Sequence, residues 1–163
     1  MITVRDLLDG VEVLESSLDP DALVARVWHD SRRITTGDVY VAVPGEKVHG
    51  DDFLPQARTR GAALVVGTRR DSLLAYPAWV LVPDARRALA ILAHNAAGRP
   101  SDAATLVGIT GTNGKTSTTW ILEAIALAAG MKPGVVGTVN YRYAGHTDPA
   151  AHTTPEAPVL QGI

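Results

Sequence analysis

Apolar and polar positions in this chain switch repeatedly between the period of a strand and that of a helix. Residues 39–43, 62–66 and 79–82 are short apolar runs rich in β-branched side chains, which predicts strands buried in a sheet. Between them the pattern turns helical. Residues 53–60 place Phe53, Leu54 and Ala57 on one face and stop at Gly61. Residues 84–97 open on Asp84 as an N-cap, turn Leu89, Leu92 and Ala93 toward a core and end at Gly98. Near the start, Thr3 caps a short helix over 3–8, with Asp6 in its first turn and Gly10 to stop it. Val11 and Val13 alternate with polar neighbours, and Pro20 marks a turn. A strand over 24–27 then delivers His29-Asp30-Ser31-Arg32-Arg33. Gly37-Asp38 turns into 39–43, Pro44-Gly45 ends that run, and 46–52 is a polar loop holding Lys47, His49 and Gly50. Such alternation predicts an α/β domain, and no internal repeat stands out.

Gly98-Arg99-Pro100-Ser101-Asp102 is the expected boundary, giving a first domain over 1–100 and a second over 101–163. The second is predicted to begin with a strand at about Thr105 that runs into Gly108-Ile109-Thr110-Gly111-Thr112-Asn113-Gly114-Lys115-Thr116-Ser117. A helix over 116–129, closed by Gly130, and a strand over 133–139 complete one right-handed βαβ unit. Strand, Gly-rich turn and helix are what a phosphate cradle needs. Loop N–H groups and the helix N-terminus converge on the anion, and a lysine adds a full charge. Lys115 would reach the outer phosphates of a nucleotide, and the Thr116 hydroxyl would sit on its Mg²⁺. The usual G-x-x-x-x-G-K-[ST] spacing asks for glycine at 109, where this chain has Ile109; the compact form G-T-N-G-K-T replaces it. The helix is apolar nearly all round (Trp120, Ile121, Leu122, Ile125, Leu127), which predicts burial against a sheet. One βαβ unit cannot cover both faces of a parallel sheet. The expectation is therefore the N-terminal part of a longer protein, cut inside its second domain. After Tyr141 and Tyr143, residues 145–148 read as a turn, followed by His152-Thr153-Thr154-Pro155-Glu156.

Composition narrows the chemistry. There is no cysteine, so disulfides and Cys-based metal sites are excluded, and the five histidines show no zinc spacing. A formal net charge of −2 with scattered arginines leaves no basic footprint for nucleic acid. No apolar run approaches the roughly 20 residues of a membrane span, and Met1-Ile2-Thr3-Val4-Arg5-Asp6 has no signal-like pattern. A cytoplasmic protein without membrane or nucleic-acid partners is expected.

The loop Gly111-Thr112-Asn113-Gly114-Lys115-Thr116-Ser117 resembles the ATP loop of the Mur ligase family. Asp30-Ser31-Arg32 with 37–45, Gly134-Val135-Val136-Gly137-Thr138-Val139, and Thr153-Thr154-Pro155-Glu156 narrow the likeness to its E-type branch, the UDP-N-acetylmuramoyl-tripeptide synthetases of peptidoglycan synthesis. The resemblance covers essentially the whole chain, in order. It implies a small N-terminal α/β substrate domain, followed by the first βαβ unit of a P-loop central domain. It also implies a ligase of cell-wall biogenesis, and hence of cell shape and division. Such a ligase uses ATP and Mg²⁺ to join an amino acid, meso-diaminopimelate or L-lysine, to UDP-N-acetylmuramoyl-L-alanyl-D-glutamate. The carboxylate is first phosphorylated and the amine then attacks the acyl phosphate. On this likeness Gly111, Thr112, Asn113, Gly114, Lys115, Thr116 and Ser117 hold ATP, with Lys115 catalytic and Thr116 also on Mg²⁺. Ser31, with His29 beside it, bonds the UDP part; Glu46, Lys47 and Val48 line the nucleotide-sugar site. His152, Thr153 and Thr154 meet the muramoyl peptide, His152 standing where many relatives have Asn. The chain alone is expected to be inactive, and monomeric, with the rest of the machinery in the C-terminal part.

Other readings of the residues stay open beside this one. Another Mur-type ligase shares the loop. A small kinase or NTPase would place a Mg²⁺-holding Asp at the end of a downstream apolar strand, and none follows here. A UDP-sugar-binding module without activity is what the first domain could be by itself. His29-Asp30-Ser31 contains the residue types of a hydrolase triad, but adjacent residues cannot assemble that geometry.

Overall fold

The computed structural model describes residues 1–45, 48–150 and 153–163. The chain opens with β1 (Ile2–Thr3) and α1 (Val4–Leu7), whose start is capped as expected, Asp6 N donating to Thr3 Oγ1 at 3.1 Å. Then come β2 (Glu15–Ser17), β3 (Leu23–Val24), β4 (Val27–Trp28) and a 3-10 turn over Ser31–Arg33. The expected strand over 24–27 is divided between two sheets. β3 pairs with β1, whereas β4 pairs with β5 (Val39–Val41). The break falls at Ala25 and Arg26, whose N–H groups are taken by Gly37 O and by the side chain of Asp38. That carboxylate is fully buried and also accepts from Thr35 N and Oγ1 at 2.9 Å, so the corner is closed by a satisfied buried acid.

A 3-10 turn over Gly50–Phe53 leads into α2 (Leu54–Thr59) and β6 (Leu64–Gly67). A short helix not foreseen in the pattern, α3 (Arg70–Leu73), precedes β7 (Trp79–Leu81) and α4 (Ala85–Ala96). The main sheet has the order β2-β7-β6-β5-β4, with β4 to β7 mutually parallel and β2 antiparallel at one edge. Its central strands are apolar on both faces because both are covered. Val39, Val41, Leu64, Val66 and Val80 join Val4 and Leu7 of α1 and Leu89 and Leu92 of α4 in one core. Tyr40, Val65 and Trp79 join Leu54 and Ala57 of α2 and Leu73 of α3 in the other. The continuous apolar runs of the sequence are this two-sided burial. Asp84 caps α4 by accepting from Arg86 N and Arg87 N, and buried Asn95 donates to Leu7 O and Asp9 O, tying α1 to α4.

After a 3-10 turn over Pro100–Ala103, the α/β character continues in α5 (Lys115–Ala128), β8 (Val135–Val136), β9 (Asn140–Tyr143), β10 (His146–Pro149) and α6 (Ala157–Gly162). Two expectations are corrected here. Residues 105–109 form no strand, so the parallel βαβ pair does not form; β8, β9 and β10 make an antiparallel sheet instead. A lead-in strand needs a neighbour to pair with, and Leu106 and Val107 lie exposed without one. Nor is α5 buried: none of its residues is. Its apolar surface exceeds what three short strands can cover. Residues 145–148 are also more than a turn. Ala144 and Gly145, both at positive φ, make the hairpin, and His146–Pro149 is the strand β10. Finally α6 packs along α4. No helix among the described residues is long and apolar enough to cross a membrane.

Candidate functional site

Four parallel strands end at one edge of the main sheet, the edge at which α/β proteins take up ligands. The loops there carry several residues singled out in the sequence. His29 follows β4 and Ser31 opens the 3-10 turn behind it. Asp30 shapes that turn, accepting from Arg32 N at 3.0 Å and from its guanidinium at 2.9 Å. Ser31 is buried and its hydroxyl donates to Gln56 Oε1 of α2. Only its acceptor capacity is therefore left for a ligand. His29 Nδ1 is buried without a hydrogen-bond partner. Burial pushes this imidazole below its ordinary value, against the opposing pull of the Glu156 and Asp30 carboxylates.

The loop after β5 returns on itself, Gly45 N donating to Val48 O at 3.1 Å and Pro44 bridging to His49. Val48 is exposed at its tip; Glu46 and Lys47 lie outside the described residues. Gly50 anchors the loop. A Cβ there would lie 2.5 Å from the carbonyl carbon of Ala42, and its own carbonyl accepts from the Tyr40 hydroxyl at 2.8 Å. Burial holds that phenol well above its ordinary range. Asp51 beside it is buried with neither carboxylate oxygen hydrogen-bonded; His49 Nδ1 stands 3.4 Å and Arg69 Nε 3.9 Å from it.

The loop over 111–117 lacks the expected lead-in strand but keeps the glycine turn into a helix. Gly111 (φ +150°) and Gly114 (φ +80°) adopt backbones that a side chain would strain, and Gly114 is the N-cap of α5 without any side-chain cap. The first N–H groups of the helix are left for a ligand or water. The Lys115 ammonium folds back to donate to Gly111 O. Lys115 and Thr116 line a cleft of about 110 Å³ shared with Thr119, Gly137, Thr138, Arg142, Thr153 and Thr154. This is well below the roughly 300 Å³ at which whole-ligand pockets begin, so it suits a phosphate group and its acceptor rather than a complete nucleotide. The opposite wall is built around Arg142 and its partners. Arg142 of β9 stacks 3.7 Å over the Trp120 ring, donates through Nε to both Glu123 oxygens at 3.0 and 3.1 Å, and reaches Asn140. The hydrogen bonds from Arg142 hold the Glu123 carboxyl below its usual range.

Three separate stretches of the sequence thus meet in one cleft: the loop, Gly137-Thr138, and Thr153-Thr154, with the Thr138 hydroxyl donating to Thr153 Oγ1 at 3.3 Å. His152 lies outside the described residues. Ser31 and His29 do not line this cleft; they stand at the sheet edge. Glu156 connects the two places, accepting from Arg86 in the first turn of α4. Sequence reasoning assigned no role to Gln56, Arg86, Glu123 or Arg142. One signal was present: Glu123 is the sole carboxylate in the apolar helix 115–128, and such a group demands a partner.

Fold and site together define an α/β protein with a Gly-rich loop at a helix N-terminus. Family models match twice, "Mur ligase family, catalytic domain" over residues 24–97 and "Mur ligase middle domain" over 109–162. The chain belongs to the Mur ligase family. It is 46% identical over 161 residues to the UDP-N-acetylmuramoyl-L-alanyl-D-glutamate–2,6-diaminopimelate ligase of Geobacillus kaustophilus (strain HTA426), an alignment covering 99% of this chain and 32% of that protein. With the ligase of the same name from Geobacter sulfurreducens (strain ATCC 51573 / DSM 12127 / PCA) it shares 43% identity over 97% of its length and 31% of the relative's. The chain thus spans about a third of the length of these relatives. Among solved structures, a ligase of the same name superposes with a TM-score of 0.72 over 99% of this chain and 32% of that one; at 21% identity this shows the fold alone. MurF ligase from Thermotoga maritima, in complex with ADP, gives a TM-score of 0.51 at 33% identity over 64% of this chain and 24% of that one.

Proposed function

We propose that this chain supplies the substrate-binding and ATP-loop portions of a ligase. That enzyme adds a third amino acid to UDP-N-acetylmuramoyl-L-alanyl-D-glutamate in the cytoplasm, and meso-diaminopimelate is the residue named in the relatives it resembles. The observation that carries this reading is the cleft, in which Lys115 and Thr116 face Thr138, Thr153 and Thr154 across a space of phosphate size. A kinase loop by itself would not bring a second, hydroxyl-rich segment to its phosphate end. In this reading residues 1–100 are the UDP-substrate domain and 101–163 begin the ATP-binding domain, acting as a monomer.

Chemically, the glutamyl carboxylate takes the γ-phosphoryl group of ATP and ADP leaves; the amine then attacks the acyl carbon and phosphate departs. Carboxylate and phosphate repel, so positive charge must be in place before they meet. Lys115, the N–H groups of 111–117 and the N-terminus of α5 supply it. The donor set also fits Mg²⁺. Among the described residues no group of three acidic or imidazole side chains could hold a metal. Mg²⁺ commonly rests on one or two protein oxygens plus phosphates and water, and Thr116 offers such an oxygen in the cleft. Ser31 accepts from the uridine end with His29 beside it, and Glu46, Lys47 and Val48 are the residues assigned to the nucleotide sugar. Thr153, Thr154 and His152 bind the muramoyl peptide.

Calorimetry on the full chain with UDP-N-acetylmuramoyl-L-alanyl-D-glutamate, UDP-glucose and ATP·Mg²⁺ tests the assignment. The muramoyl nucleotide and ATP should bind, and Lys115→Ala should remove the ATP response while leaving the uridine nucleotide bound. ATP binding with no response to any uridine nucleotide would sink the ligase reading.

A further inference from the structure

We propose that Arg86 is a positioning residue: its ion pair with Glu156 ties the carboxyl edge of the main sheet to the Thr153-Thr154 segment and sets where those hydroxyls face the phosphate-loop cleft. The inference rests on the reading that Thr153 and Thr154 meet the muramoyl peptide.

The segment is short and stiff. Only Pro155, buried and with its φ fixed by the ring, separates Thr154 from Glu156. A displacement of Glu156 is therefore passed to Thr154 with little slack. On the cleft side, Thr153 Oγ1 takes the Thr138 hydroxyl. On the other side, Glu156 takes the Arg86 guanidinium and begins α6, which lies along α4. Arg86 is itself fixed at the start of α4, its N–H donating to Asp84 Oδ1 at 2.9 Å. At the far end of α6, Gln161 Oε1 accepts from Ser101 Oγ at 3.3 Å and stands 3.5 Å from His94 Nδ1. The two threonines are thereby referenced to the N-terminal sheet as well as to the loop.

Stability is not the reason for the pair. Arg86 and Glu156 side chains are 58% and 36% exposed, and exposed pairs contribute little to folding. Their value is geometric: the loops after β4 and β7 lie at the same sheet edge, and His29 there feels the charges of both Glu156 and Arg86.

The test uses the full chain with Arg86→Glu, Glu156→Arg and the double exchange. Each single change should weaken UDP-N-acetylmuramoyl-L-alanyl-D-glutamate by about tenfold, and the double exchange should recover most of the loss. UDP itself should bind as before, because it lacks the muramoyl peptide that meets those threonines. A ligand-free arm reads the pair directly. By NMR, the His29 imidazole titration should move down in Glu156→Gln and up in Arg86→Gln. No rescue in the double exchange, equal weakening of UDP, or an unmoved His29 titration would each overturn the proposal. Should the parent chain bind ATP but no uridine nucleotide while His29 still responds, the pair exists but the ligase reading fails, and its substrate role goes with it.

Discussion

Two helices of similar length, α4 and α5, sit in opposite surroundings. In α4 one face is apolar, and Ala85, Ala88, Leu89, Leu92 and Ala93 are all buried against the sheet. In α5 apolar side chains run round the helix, yet Trp120, Ile121, Leu122, Ile125 and Leu127 are 40–61% exposed. Apolar content therefore did not decide burial. What decided it was the area of sheet each helix meets. The parallel strands β5, β6 and β7 offer α4 a continuous face, whereas α5 is beside three short antiparallel strands whose sole buried residue is Tyr141. The same contrast separates the two halves of the site: a sheet edge held by packed cores, and a cleft held by hydrogen bonds and one stacked ion pair.

The contrast breaks most readily at equivalent leucine and isoleucine positions. Leu92 is fully buried, so Leu92→Ala should cost about 2–5 kcal/mol in urea unfolding. Ile125 is 59% exposed, and Ile125→Ala should stay within about 0.5 kcal/mol. Equal losses would mean that α5 is covered in solution. Glycines sharpen the same point at a smaller scale. A Cβ on Gly50 would strike backbone atoms of Ala42 within 2.7 Å, so Gly50→Ala should cost up to about 3 kcal/mol. At Gly114 nothing lies within 4 Å, and Gly114→Ala should cost only the strain of a left-handed backbone, about 1 kcal/mol. Ser31→Ala, which removes the donor of the Ser31–Gln56 hydrogen bond, should cost about 0.5–1.5 kcal/mol in stability and weaken the uridine nucleotide.

These positions also show what was legible in the sequence. The runs at 39–43, 62–66 and 79–82 were readable as strands because burial on both faces leaves an unbroken apolar signature. Asp84 and Thr3 were readable as caps because capping is a local matter of one side chain and nearby N–H groups. The Gly-Lys-Thr loop was readable for the same reason. The split at Ala25-Arg26 was not, since it depends on Gly37 and Asp38 reaching back across the chain. Strand formation at 105–109 could not be judged from its own residues either, because a strand exists only with a partner. Arg86 with Glu156 and Arg142 with Glu123 join residues 70 and 19 apart, and nothing in local pattern pairs them. Local signals found the parts of the site; long-range pairing decided how they meet.

The smallest effect expected is also the one that probes the join between the two regions. His29 is held below the ordinary imidazole value of 6.5 by burial, so the folded chain prefers it neutral. Between its folded value and 6.5 the unfolded chain binds more protons, and stability must rise with pH. The contribution is complete above about 6.5 and is lost as pH falls through the lowered folded value. Glu156 and Asp30 oppose the burial, which keeps this slope shallow in the parent chain. Removing one of them should steepen it: Glu156→Gln lowers the folded value further and widens the window on its acid side. His29→Gln should flatten the same part of the curve. Urea midpoints measured at half-unit steps from pH 5 to 8 would show both changes, and a Glu156→Gln curve parallel to the parent would mean that the C-terminal segment does not reach the sheet edge in solution.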